Sequence, residues 1–188
     1  MENLKKEILD KAETLFCQFG PSRVTMEEIA HEFGISKKTL YQFYSSKNDL
    51  LKEVTDSIYS QIQDRNQSLL KNTEMNFLEK INKLIKSSLE NISRTEILKK
   101  DLQKNFPDLW KHYSNLHSQD YPEYLEKLLK EGIAKGQIRK DINIPIVLMI
   151  FSSCLESLAI NPVKNSDHPA KDLVKEIHTV IFYGLIKR

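Results

Sequence analysis

Hydrophobic positions recur every three to four residues along nearly the whole chain, and strict apolar–polar alternation is almost absent. That is the signature of helices buried by one face, so the pattern predicts an all-α protein. Ile8, Ala12, Leu15, Phe16 and Phe19 share one face of a first helix, which Gly20-Pro21 stops. Thr25 and Glu28 have the spacing of a capping box, so a second helix begins there, with Ile29, Ala30 and Phe33 inward and Gly34 as a left-handed end. Ser36 caps a short third helix through Tyr41. Ser46, with Asp49 three residues on, caps a fourth that buries Leu50, Leu51, Val54, Ile58 and Ile62. Further on, the period is unbroken from Phe77 to Ile92, and a separate shorter helix is expected from Thr95 to Phe106. Pro107 and Pro122 set off segments carrying Leu109, Trp110, Tyr113 and Leu116, then Tyr124, Leu125, Leu128, Leu129 and Ile133. Asn143 with Pro145 starts another helix, residues 161–168 make a polar loop, and a last helix runs from about Pro169.

One pair of elements has a specific geometry. A capped helix ending in Gly34-Ile35 and followed at once by a second capped helix is the helix-turn-helix arrangement, here over about residues 25–44. With Ser36 as cap, Lys37, Lys38 and Thr39 occupy the first turn of the second helix and face outward beside unpaired backbone N–H groups. The first fifty residues carry slightly more acid than base, yet between Gly34 and Asn48 the charges are Lys37, Lys38 and Lys47 with no acid. Three or four phosphate contacts per protomer would give a salt slope of roughly −3 to −4. Spacing alone leaves open an αα-corner with solvated lysines.

The stretches "ILDKAETLF", Gly20 and "VTMEEIAHEFGISKKTLYQFYSSKNDLL" fix more than a dozen positions in a pattern that resembles the TetR family of bacterial transcriptional regulators. The rest of the chain is similar only in outline. The resemblance implies an N-terminal three-helix DNA-binding domain (residues 1–48) and a C-terminal helical ligand-binding and dimerisation domain (residues 49–188). It implies a DNA-facing set of Thr25, Lys37, Lys38, Thr39, Tyr41, Tyr44 and Lys47. Thr25 caps and can meet a phosphate, Tyr41 reaches the DNA backbone through its hydroxyl, and Lys47 meets a phosphate beside a helix N-terminus. Leu40, Ile35 and Phe43 read as core, Tyr44 is divided between core and DNA, and Arg23 reads as merely exposed. The chain departs from the family at Lys38, where Gly, Ala or Pro is common, and at Phe43-Tyr44, where His or Tyr followed by Phe is common.

In the C-terminal part, the helix of about 143–160 is apolar on more than one side. One stripe carries Val147, Ile150, Phe151, Cys154, Leu155 and Leu158, with Ile146 and Met149 off it. With Ile177 and Ile181 of the last helix, Val147, Ile150, Phe151, Cys154 and Leu158 are the expected homodimer interface, a two-fold four-helix bundle. Such a dimer would bind a pseudo-palindromic operator in double-stranded DNA. An inducible regulator would also hold a small apolar or amphipathic effector, for which Phe77, Ile81, Trp110, Tyr113 and Tyr124 are the candidate lining. The alternative is control by a protein partner.

Composition adds boundaries. The net charge of +2 and a charged fraction of 29% are ordinary for a globular chain. Cys17 and Cys154 sit among apolar residues and read as buried thiols in a reducing compartment. No signal-peptide or membrane-length run is seen, so a cytoplasmic protein is expected. No nucleophile–base pair, phosphate loop, cofactor motif or metal-ligand spacing stands out, so neither an enzyme nor a metal site is expected.

Overall fold

The computed structural model describes residues 2–160 and 170–185. The polar loop expected at 161–168 lies outside them. The regular elements are helices: α1 (Glu2–Phe19), a 3-10 turn (Pro21–Arg23), α2 (Met26–Phe33), α3 (Lys37–Phe43), α4 (Lys47–Lys71), α5 (Phe77–Asn105), α6 (Pro107–Ala134), α7 (Ile144–Ile160) and α8 (Ala170–Leu185). Among the described residues no helix is long and apolar enough to cross a membrane.

The chain forms two compact units. The first comprises Met1–Ile62 together with Arg94–Leu116. Its core is built from Ile8, Ala12 and Phe16 of α1, Ile29 and Ala30 of α2, Leu40 of α3, and Leu50, Leu51, Val54 and Ile58 of α4. Leu98 and Leu102 of α5 complete it. The division therefore differs from a single cut after residue 48. The ends of α5 and α6 go with the head because polar side chains stitch them there as well as core. Arg94 pairs with Glu13, which also accepts from Gln61 Nε2 at 3.1 Å. Asp101 accepts from the Ser22 amide at 2.5 Å and the Ser22 hydroxyl at 2.8 Å. His112 Nε2 meets Asp56 Oδ1 at 2.6 Å.

The second unit comprises Gln63–Ser93 and His117–Arg188. Phe77, Ile81, Leu84, Leu125, Leu128, Leu129, Ile138, Phe151 and Phe182 form its core. Lys80, only 1% exposed, is held by both carboxylate oxygens of Glu131 at 2.8 Å and by the Leu70 carbonyl at 3.2 Å. Those partners make its burial tolerable, since an unpaired ammonium there would be strongly disfavoured. α7 and α8 pack against each other.

Two helices are longer than the sequence suggested. α5 is continuous where two helices were expected, because Thr95, Leu98 and Leu102 carry the buried stripe past the exposed Ser93 and Arg94. α6 runs through Pro122, where a boundary was expected. A proline removes one backbone donor, and buried residues on either side, Tyr113 before it and Tyr124 and Leu125 after it, hold the helix in place. Phe19, placed on the buried face of α1 by periodicity, is instead 47% exposed at the helix end.

Candidate nucleic-acid interface

The head is fixed by local chemistry. Gly20, at φ 86°, ends α1 and turns the chain into the 3-10 turn. Thr25 is the N-cap of α2: its hydroxyl accepts from the Glu28 amide at 3.1 Å, and Glu28 Oε2 accepts from the Thr25 amide at 2.7 Å. At the other end Gly34 is left-handed (φ 71°, ψ 25°). The Ile35 amide reaches back to the Ala30 carbonyl and the Gly34 amide to that of His31, each at 3.0 Å. This is the Schellman closure, and it releases the chain into the next helix after two residues. Ser36 then caps α3, accepting from the Thr39 amide at 3.0 Å, and Ser46 accepts from the Asp49 amide at 3.1 Å where α4 begins.

α3 is anchored by Leu40, fully buried, with Ile35 and Phe43 packed against the same core. The opposite arc of the helix shows Lys37, Lys38, Tyr41 and Gln42 to solvent. Thr39 is half-buried, with its hydroxyl 2.8 Å from that of Ser36. Gln42 was not singled out from the sequence, although its position four residues after Lys38 puts it on the same arc. Its amide is the side-chain type that can pair with the edge of adenine.

The cations are not equally available. Lys37 Nζ pairs with Glu27 of α2 and lies 5.8 Å from the centre of the Tyr41 ring. The hydrogen bond between them holds the Glu27 carboxyl below its ordinary range and the Lys37 ammonium above its own. Glu27 was also missed in the sequence, because the turn brings together residues ten apart without any periodic signal. Lys47 is half-buried, 5.9 Å from the Phe106 ring centre. Burial lowers its pKa, with Asp101 and Glu28 opposing. Lys38 is exposed and has no ion-pair partner among the described residues. Thr25 has both its amide and its hydroxyl engaged by Glu28.

Tyr44 requires a correction. It is 2% exposed and part of the core, with Lys5 Nζ 5.4 Å from its ring centre, so it leaves the DNA-facing set. Burial first, and then the Glu53 carboxylate, push its phenol far above the usual range. Tyr41, 42% exposed, stays on the outer face.

The candidate effector lining is also redistributed. Trp110 and Tyr113 stack in the first unit, with ring centres 6.0 Å apart, while Phe77, Ile81 and Tyr124 belong to the core of the second. The five are thus divided between the two units, three in the second and two in the first. A groove of about 280 Å³ does exist in the first unit, but Glu13, Thr14, Cys17, Gln18 and Arg94 line it, and it is open. Burial pushes the Cys17 thiol there up to about 11, so it is not a reactive thiolate at neutral pH.

The residues expected at the dimer face are not equally exposed. Phe151 is turned into the core against His178 and Phe182, with ring centres 5.0 and 6.2 Å away. Val147, Ile177 and Ile181 are half-buried on the same core, and Cys154 is half-buried. The Leu158 side chain lies outside the described residues. Of the expected set Ile150 is exposed, and it is joined by Ile146, Met149 and Val180, the last two 61% and 72% exposed.

Residues 8–54 match the model for the bacterial regulatory proteins of the tetR family. Over 189 residues the chain is 26% identical to the HTH-type transcriptional regulator YvaF of Bacillus subtilis, covering 97% of this chain and 95% of that one. It is 27% identical over 147 residues to the HTH-type transcriptional repressor KstR2 of Mycolicibacterium smegmatis, covering 76% and 71%. Its fold is similar to that of a transcriptional regulator from Saccharomonospora viridis solved in complex with choline. That likeness has a TM-score of 0.75 at 18% identity and covers all of both chains.

Proposed function

We propose that this chain, a transcriptional regulator of the tetR family, acts as a homodimer that lays α3 of each protomer in a major groove of a pseudo-palindromic operator. It represses until a small apolar or amphipathic molecule releases it. The observation that carries the reading is the arc of α3: Leu40 fixes the helix from within, and Lys37, Lys38, Tyr41 and Gln42 stand together outside it. Lysine and glutamine side chains on one groove-sized helix supply donors for guanine and adenine edges and for phosphate. The hydroxyl of Tyr41 and the ammonium of Lys47 extend the contact to the backbone on either side. Thr39 supplies a methyl for thymine, and Thr25 holds α2 at its cap.

Two further observations support the assembly and its control. The apolar residues left exposed on α7 and α8 suit a two-fold bundle of four helices. One relative in sequence is a repressor, and one relative in fold holds choline. The test is to select genomic DNA fragments with the purified protein and repeat the selection with Lys37→Ala/Lys38→Ala. The wild type should enrich a two-fold sequence and the double variant should enrich none while remaining a folded dimer. Unchanged operator affinity and salt slope in the variant would mean that α3 is not the reading element.

A further inference from the structure

Helix α3 carries its lysines on a surface that also holds an acid. Glu27 stands in the first turn of α2, one residue before the Glu28 that closes the capping box, and Glu28 is committed to Thr25. Glu27 therefore remains available and meets Lys37 across the turn. Both partners are more than half exposed, and Lys37 is also set over the Tyr41 ring. An exposed pair of this kind is weak enough for a phosphate to displace.

We propose that Glu27 is a specificity-determining residue, a built-in counter-charge that cancels the contribution of Lys37 to sequence-independent DNA binding. The inference rests on α3 being the DNA-reading helix. Non-specific affinity comes almost wholly from cations that replace counterions condensed on phosphates. When Lys37 moves to a phosphate it releases one cation from the DNA, but the vacated Glu27 takes one up. The exchange is then nearly neutral in ions, and Lys37 adds little to the salt slope. Base-edge contacts by Lys38 and Gln42 do not pass through Glu27, so operator binding keeps its share. The wild-type slope should accordingly be shallower than a count of exposed lysines suggests.

The test compares wild type, Glu27→Gln, Glu27→Gln/Lys37→Ala and Lys38→Ala. Each is titrated from 0.05 to 0.5 M salt against a fluorescent random-sequence duplex and against the duplex recovered by genomic selection. In Glu27→Gln one more phosphate contact per protomer counts in full. The slope on random DNA should steepen by about 0.9 per protomer, about 1.8 for the dimer, with an affinity gain of roughly sixtyfold near 0.1 M salt. The gain on the selected duplex should be smaller, so the ratio between the two falls. The added Lys37→Ala change should remove the gain. An unchanged slope in Glu27→Gln, or a gain that survives loss of Lys37, overturns the proposal. Lys38→Ala reports separately on the reading beneath it: if that variant binds both duplexes as the wild type does, docking through α3 is wrong.

Discussion

Tyr41 and Tyr44 lie three residues apart and look interchangeable in the sequence, yet one is on the surface and the other in the core. Continued helical geometry would set Tyr44 beside Lys37 and Tyr41 on the outer arc. The chain instead leaves the helix there, at φ −135° and ψ 114°, and turns the ring inward. Periodicity could not show this because it says nothing of a residue that lies past the end of a helix. Asp101 shows the same limit, since nothing in its neighbourhood in sequence announces that it holds Ser22 in place. Burial alone would raise its pKa, but hydrogen bonds from the Ser22 amide, Asn105 and the Ser22 hydroxyl, with Lys47 nearby, bring it below the ordinary value. A carboxyl lowered by folding stabilises in full above its unfolded pKa of about 3.9, and that contribution is lost as pH falls through the folded value. Asp101→Asn should therefore cost about 1 kcal/mol at pH 7, the group being partly solvated. Urea titrations at pH 7 and pH 3 should show the difference between variant and wild type shrinking at the lower pH.

The elements were legible where the signal is local. The capping box at Thr25, the left-handed Gly34 and the caps at Ser36 and Ser46 all stand where the sequence placed them. Continuity was not legible, because whether α5 passes Arg94 and α6 passes Pro122 depends on packing that lies far off in sequence. The glycines offer a test at this scale. A Cβ at Gly34 would meet nothing within 4 Å, so Gly34→Ala should cost only the left-handed backbone, about 1 kcal/mol. A Cβ at Gly132 would lie 2.6 Å from Ile138 Cδ1 and 2.8 Å from Phe77 Cδ2. Gly132→Ala should therefore cost about 1–3 kcal/mol by overpacking the second unit. Thermal melting should separate the two: Gly34→Ala should also weaken DNA binding by disturbing the turn, and Gly132→Ala should lower the melting temperature more.

For the whole molecule, helices α4, α5 and α6 each give residues to both compact units. The sequence suggested a head and a body, but not that residues 94–116 would be stitched to the head through Glu13, Ser22 and Asp56. The apolar surplus of α7 was visible as a pattern. Which of its stripes stays outside was not, because that depends on Phe151 packing against α8. Met149→Asp with Val180→Asp should convert a dimer to a folded monomer, read by sedimentation. The claim that joins these scales is that two copies of α3 read one duplex together. Hydroxyl-radical footprinting of the genomically selected duplex tests it most directly. The account predicts two protected patches about 34–36 Å apart, related by two-fold symmetry and both lost in Lys38→Ala. A single patch, or protection that survives that substitution, would contradict it.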